Sequence, residues 1–343
     1  MRFHRAATAA GAAVVLGVAI IVAVSIGSIS VPIGEVWAII ADRVLPGRTT
    51  PSWSPSDEHI VWNLRLPRVL LGAVVGASLA MAGAALQALT RNPLADPFLF
   101  GVSSGAALAA VASLTGVLGP LAGLSLPAAA FLGALVTTVV VFALAAVHGR
   151  LDVLRLVLSG VAVAQVASAL TTLLLLRVSG RDGAVTSVLA WLAGSLARAT
   201  WGGLVAPLVA TMVGFVALLA VSSSLNAVAL GDDTALAVGV DVGRLRVGVF
   251  VITSLLVGVV VARSGAIGFV GLMVPHAARR FVGTDHRRLL PWAAYGGAVL
   301  MVIVDLVGRV VIAPNEVPVG VMTALIGGPF FIWILRHRSR TVT

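Results

Sequence analysis

The side chains that usually carry chemistry are few in this chain and widely separated. Its six histidines, His4, His59, His148, His276, His286 and His337, never fall at metal-ligand spacing with one another or with a carboxylate. Cysteine is absent, which removes thiolate catalysis, cysteine metal sites and disulfides. Lysine is absent too: all 23 basic residues are arginine, so the phosphate-binding GxxxxGK[ST] loop cannot exist and no bound nucleotide, metal or other cofactor is expected. No nucleophile beside a base and no pair of intramembrane carboxylates emerges, which argues against a membrane-embedded enzyme. What is left is recognition chemistry, and it belongs to arginine.

Arg65-Leu66-Pro67-Arg68 opens a long apolar run. Proline suits a first helical turn, but two arginines there oppose the helix dipole, a cost incurred twice that points to an acidic partner. Lipid headgroups, or an ion pair with Asp57 or Glu58, are the plainer reading. Asp305 and Arg309 stand an i,i+4 step apart in the favourable order, which reads first as an intrahelical pair. Arg177 and Arg181, at the end of another apolar run, suit an anionic solute or ordinary snorkelling.

A different opportunity lies between Leu230 and Arg246. This stretch, LGDDTALAVGVDVGRLR, is the longest clearly polar interruption between two bodies of apolar sequence. Asp232 or Asp233 as N-cap, Thr234 to Val238 as helix and Gly239 as the stop would make a short exposed helix, either a docking surface or a solvated linker.

The elements that must position these residues follow from composition. The chain has 343 residues, 59% hydrophobic and 10% charged, against the roughly 25% charged residues of a soluble domain. It is therefore expected to be an all-α integral membrane protein, since the alternating ten-residue segments of a β-barrel are missing. Apolar runs at roughly 6–29, 67–89, 98–118, 127–147, 155–176, 204–224, 247–263, 266–282, 290–311 and 317–335 predict about ten transmembrane helices. With the N-terminus inside, 14 of the 23 arginines fall on the cytoplasmic side, among them Arg2, Arg5, Arg150, Arg338 and Arg340. Both termini are then cytoplasmic. The arginines are scattered over loops, so the net charge of +10 does not suggest nucleic acid.

The chain reads as a single transmembrane domain, 1–343. A first helix and outer loop occupy about 8–64, a first helix block 65–177, an outer helix, sixth span and cytoplasmic loop 178–246, and a second block 247–335. The blocks enter from opposite sides, which makes any kinship between them an inverted repeat.

Three further segments break the apolar pattern. Arg91-Asn92-Pro93-Leu94-Ala95-Asp96-Pro97 cannot continue a helix, and either a constriction made by Asn92 and Leu94 or a tight turn accounts for it. Ser264 to His276 combines closely spaced glycines with a late proline, predicting tight packing and a break. Trp191 to Ser195 and Trp201 place tryptophans where they would anchor a bundle at the interface.

Taken in order, Arg65 to Arg68, Arg91 to Pro97, Trp191 to Ser195, Leu230-Gly231 through Gly239, Gly265 to His276, Thr284 to Arg287, Pro318 to Gly320 and Gly327 to Pro329 resemble the permease subunits of bacterial ABC importers for ferric siderophores, haem and vitamin B12. The likeness begins near Arg65 and runs to the end; the stretch from Pro46 to Ser56, including Pro51, has no counterpart. It implies a vitamin B12 permease-like fold and a second permease subunit, most simply a homodimer with the path between subunits. It also implies two cytoplasmic ATPases that bind ATP and magnesium, and an extracytoplasmic solute-binding protein. On this resemblance Arg65, Arg68 and Arg309 meet acids of the binding protein, while Asn92 and Leu94 form the cytoplasmic gate. Leu230, Gly231, Asp232, Ala235, Ala237, Val238 and Gly239 would couple to the ATPases.

The function so implied is inward transport of a ferric siderophore or related metal chelate across the bacterial cytoplasmic membrane, with haem and vitamin B12 as alternatives. An ion-coupled secondary transporter is the rival from another class. Such carriers place ionisable groups in mid-membrane, whereas the charges here lie near span ends.

Overall fold

The computed structural model describes residues 2–27, 29, 31–46, 53–117, 123–147, 150–177 and 182–338, with side chains from Gly11 onward except at 147, 150, 182, 184, 335, 337 and 338. Pro51, His148, Arg181 and Arg340, and the side chains of Arg2, His4, Arg5, Arg150, His337 and Arg338, therefore lie outside the described residues.

Helix dominates because a backbone in lipid must satisfy its own polar groups. Helix α1 is Arg2–Ser25, α2 is Ile33–Val44 and α3 is Pro55–Glu58, which Ser54 caps by accepting from Asp57 N. A wide π-wound turn, His59–Arg65, carries α3 into α4, Leu66–Thr90. Then follow α5 (Val102–Leu114), α6 (Leu126–Ala145), α7 (Val153–Arg177), α8 (Asp182–Leu192), α9 (Trp201–Ala220), α10 (Ser222–Leu230) and α11 (Asp232–Ala237). Finally come α12 (Val242–Ser264), α13 (Val270–Val282), α14 (His286–Val310) and α15 (Val319–Arg338). Among the described residues the strands are one small hairpin, Ala146–Val147 with Arg150–Leu151, joining α6 to α7.

The protein is a multi-pass membrane protein, but the ten expected spans are not equivalent. Among the described residues, six stretches are long and apolar enough to cross a bilayer: Pro55–Thr90, α6, α7, α9, α12 and α14. Helices α1 and α15 add 24 and 20 residues. The runs expected at 98–118 and 266–282 are instead split, leaving α5 and α13 with 13 residues each. At about 1.5 Å per residue such helices cover only ~20 Å of a ~30 Å core. The breaks have visible causes. Pro97–Phe100 forms a separate tight turn ended by Gly101 at φ 75°, and Gly265 at φ 68° stops α12.

The two blocks share a pattern. In each, a long helix (α4, α12) leads through irregular backbone to a 13-residue helix (α5, α13) and then a long one (α6, α14). Helix α4 packs on α14 as α12 packs on α6, and α13 touches α4 as α5 touches α12. That exchange of partners is what an inverted repeat produces.

Helix α4 is the centre, with 78% of its apolar window buried. Glycine makes its close approaches possible. A Cβ on Gly76 would fall inside the Gly297 carbonyl of α14, and one on Gly83 inside the Gly271 carbonyl of α13.

Candidate functional site

Helices α4 and α14 run in opposite directions and carry polar clusters at both ends of the bundle. One cluster contains Arg65, Arg68 and Arg309. It does not pair with Asp57 or Glu58: Asp57 accepts from Ser54 Oγ, and Glu58 pairs with Arg43. Arg68 Nε donates to Asp305 Oδ1 at 2.9 Å and its Nη1 to Glu316 Oε2 at 2.8 Å. Arg309 Nε lies 3.1 Å from Asp305 Oδ2, near enough for an ion pair but not aligned as a hydrogen bond. Asp305 and Arg309 are thus a buried pair, 1% and 3% exposed, where the sequence suggested a boundary one.

Arginine also closes the end of α1. A helix leaves its last four carbonyls without intrahelical partners. Here Val22 O accepts from Ile26 N at 3.0 Å, and Ala23 O from Arg309 Nη2 at 2.6 Å. Val24 O and Ser25 O accept from Arg65 Nη1 at 2.9 and 3.1 Å. Arg309 Nη1 reaches Ile26 O at 3.1 Å, and Arg65 Nη2 reaches Ile29 O. A recess of about 340 Å³ remains beside them, lined by Gly27, Ile60, Leu64, Arg65, Arg68 and Glu316. With three guanidiniums against two carboxylates, the cluster keeps a net positive charge. The i,i+4 spacing could not show that Arg309 and Arg65 cap a helix more than 200 and about 40 residues away.

At the other end, α10 and α11 meet at Gly231, whose φ of 133° and ψ of 153° suit glycine alone. Gly231 is the N-cap, so Asp232 and Asp233 lie in the first turn and not at the cap, and α11 ends at Ala237. Asp232 accepts twice from Arg246 Nη2, at 3.0 and 2.8 Å, and stands 3.8 Å from Arg91 Nη2. The elbow is thereby tied to α12 and to the end of α4. Ala235 is fully buried and supports the helix from beneath. Leu230, Leu236 and Val238 are 77%, 60% and 66% exposed, and Ala237 and Gly239 are exposed beside them. A cleft of about 1030 Å³ separates this elbow from the start of α12, lined by Leu236, Gly239, Asp241, Arg244 and Arg246. A short helix lifted off the bundle with its aliphatic side chains outward is a surface made for contact.

Between α4 and α5 the chain turns back into the bundle. Asn92 Oδ1 accepts from Leu94 N at 2.9 Å, with Asn92 exposed and Leu94 half-buried. Ala95, Asp96 and Pro97 are buried, and the backbone at Leu99 and Phe100 seats on Gly160 of α7. Gln87 of α4 donates to Gly271 O at 3.2 Å and accepts from Arg279 at 2.6 Å, joining this turn to α13.

Three separated motifs meet as backbone. Ser195 N donates to Ser264 O at 2.8 Å and Gly320 N to Gly194 O at 3.4 Å, and a Cβ on Gly265 would strike Trp191 O. Trp191, 9% exposed, is a core residue and not an interfacial anchor. Trp201 donates from Nε1 to Trp62 O at 2.9 Å and packs on its ring.

Arg177 ends α7 on its exposed side, beside a groove of about 500 Å³ lined otherwise by leucines. Only 17% of the apolar window of α7 is buried, the least of the six long spans. On that uncovered helix Gln165, Ser168 and Thr172 are exposed at i, i+3 and i+7, at and beyond its midpoint. A glutamine at mid-bilayer is costly against lipid, so this stripe belongs beside water or a second protein surface. The sequence signal was one glutamine among small hydroxyl residues in a largely aliphatic run.

Comparison with known proteins gives this architecture its family. Residues 15–337 match the model of the FecCD transport family. The chain belongs to that family. It is 44% identical over 280 residues to the cobalamin import system permease protein BtuC of Halobacterium salinarum, covering 82% of this chain and 74% of that protein. It is 40% identical over 297 residues to the hemin transport system permease protein HmuU of Yersinia pestis, covering 84% and 88%. Among solved structures, an inward-facing metal-chelate type ABC transporter superposes with a TM-score of 0.80 at 32% identity, over 95% of this chain and 98% of that one. Such relatives are permease subunits, the translocating components of ABC importers, and this FecCD chain is a transport protein of the same kind.

Proposed function

We propose that this chain is the membrane path of an importer for a metal chelate, with a ferric siderophore the leading cargo and haem or cobalamin the alternatives. What the named relatives carry has one chemistry in common, a metal ion wrapped in an organic ligand. On this reading ATP and magnesium bind to two separate cytoplasmic subunits that seat against the elbow at Leu230, Leu236 and Val238. The arginine cluster at Arg65, Arg68 and Arg309 receives an acidic solute-binding protein on the far side. Asn92 and Leu94 gate the inner end. A second copy of this chain covers α7, so that Gln165, Ser168 and Thr172 face the path and Arg177 lies near one mouth. Both termini are then cytoplasmic in a bacterial inner membrane.

The observation that carries this reading is the elbow. Its exposed aliphatics have no use against water, and its ion pairs to α12 and α4 would pass a push on α11 into the helices that surround the path. ATP shifts such a system only through its unequal affinity for two arrangements of the subunits. Leu236→Glu with Val238→Glu should abolish co-purification of the ATPase and ATP-driven uptake of a ferric siderophore into vesicles. Co-purification that survives both substitutions overturns the assignment of the elbow. Uptake driven by an ion gradient without any ATPase overturns the transporter class.

A further inference from the structure

The stretch where α13 passes into α14 borders a cleft that neither end cluster uses. It holds about 960 Å³ between Ala12 and Ala13 of α1, Phe281 of α13, and Arg288, Trp292 and Tyr295 of α14, with Val282, Asp285, Arg287 and Pro291 completing the wall. We infer that this cleft binds an anionic phospholipid, its phosphate on Arg288 and Arg287 and its chains running along α1 and α14.

The charges select an anion. Arg288 is exposed, and its guanidinium makes no hydrogen bond or ion pair with the described residues. Arg287 spends Nη2 on Ser223 Oγ at 2.7 Å and keeps its other donors. The one carboxylate in the wall is already engaged. Asp285 Oδ1 accepts from Asn226 Nδ2 at 2.7 Å and from Arg287 N at 3.0 Å, and these bonds hold its carboxyl below the usual carboxylate range. Two guanidiniums against one occupied carboxylate leave the cleft positive, unfavourable for the amine of a zwitterionic headgroup and favourable for a phosphate flanked by no cation.

The order of side chains selects a lipid over a soluble anion. Arg288, Trp292, Tyr295, Ile303 and Val307 share one face of α14, and from Arg288 to Tyr295 they climb ~10 Å along its axis. Guanidinium, then an indole and a phenol packed edge to face at 5.5 Å, then aliphatics 47% and 38% exposed repeat the layering of a bilayer from headgroup to core. Across the cleft Ala12 and Ala13 of α1 present only small apolar side chains, which leaves room for an acyl chain between the two helices. Phe281, 85% exposed, stands at its mouth. A lipid seated here would hold α1 against α14 toward the end opposite the arginine caps.

The test uses the full chain in bilayer nanodiscs and its own tryptophans. Phosphatidylglycerol brominated on its chains should quench tryptophan fluorescence at lower mole fraction than brominated phosphatidylcholine. The expected preference is about fivefold, what the unengaged guanidinium of Arg288 gives at an anionic lipid surface, Arg287 being held by Ser223 and adding little. Trp292→Phe should remove the excess quenching, Arg288→Gln should bring the preference to about one, and Arg198→Gln, on an exposed arginine of the loop between α8 and α9, should leave it unchanged. Equal quenching of the native chain by both lipids overturns the proposal, as does a preference that outlives Trp292→Phe or Arg288→Gln.

Discussion

Replacing Arg309 with methionine tests how the arginine cluster between α4, α14 and the end of α1 is built. Methionine keeps most of the aliphatic stem but removes both donors to α1, leaving Ala23 O, on a residue 0% exposed, with no partner, and takes one of two guanidiniums from the 1% exposed Asp305. A hydrogen bond from a charged donor contributes about 1.5–3 kcal/mol, and breaking one side of a buried pair costs about 3–5 kcal/mol. The two losses overlap, because one guanidinium serves both, so about 3–5 kcal/mol in total is expected rather than their sum. Arg309→Lys keeps a charge beside Asp305 but cannot reach both carbonyls, and should cost roughly half as much. Reversible unfolding by sodium dodecyl sulfate in bicelles, followed by tryptophan fluorescence, gives the free energies. A second readout uses the absence of native cysteine: Val24→Cys places a single thiol at a fully buried position of the capped turn. It should be protected from maleimide in the otherwise native chain and react at least tenfold faster beside Arg309→Met, since ~1.4 kcal/mol is already a factor of ten. A stability change under about 1 kcal/mol with Val24→Cys still protected would refute the cap.

Gly297→Ala forces a methyl group into the Gly76 carbonyl, and overpacking of this kind costs ~1–3 kcal/mol or more where backbone must move. Gly248→Ala, where nothing lies within 4 Å, should be neutral or stabilising by ~0.5–1 kcal/mol, and equal effects in the detergent titration would discredit the α4–α14 contact. Gln165→Leu should leave assembly and basal ATPase activity intact while lowering chelate uptake severalfold; undiminished uptake in proteoliposomes would place the path on another helix.

What the sequence determined by itself follows from solvent and from backbone chemistry. A composition so poor in charge has to fold in lipid, lipid demands helices, and helices of bilayer length leave countable apolar runs, so class, approximate spans and the opposed blocks were readable in one dimension. The absence of lysine removed the nucleotide loop, and ordered short motifs named the family. Glycine marked its own positions as well: Gly231 and Gly265 stand where the backbone enters conformations that a Cβ penalises. The tertiary structure decided whatever depends on partners distant in sequence. Arg65 read as a charge for an acidic partner or a headgroup, and Arg309 only as half of an intrahelical pair, because the carbonyls they cap belong to α1, and no spacing rule connects residue 309 to residue 23. Trp191 read as an anchor because what surrounds it is remote in sequence: it joins the main core, with its carbonyl seated against Gly265 at the end of α12. The runs around α5 and α13 read as full spans because hydropathy averages over a break: the Pro97–Phe100 turn, seated on Gly160 and Gly271, and the stretch from Gly265 to Phe269 stay as apolar as a helix while ceasing to be one. Periodicity reports which side of a helix avoids water; which neighbour covers that side is settled only by packing.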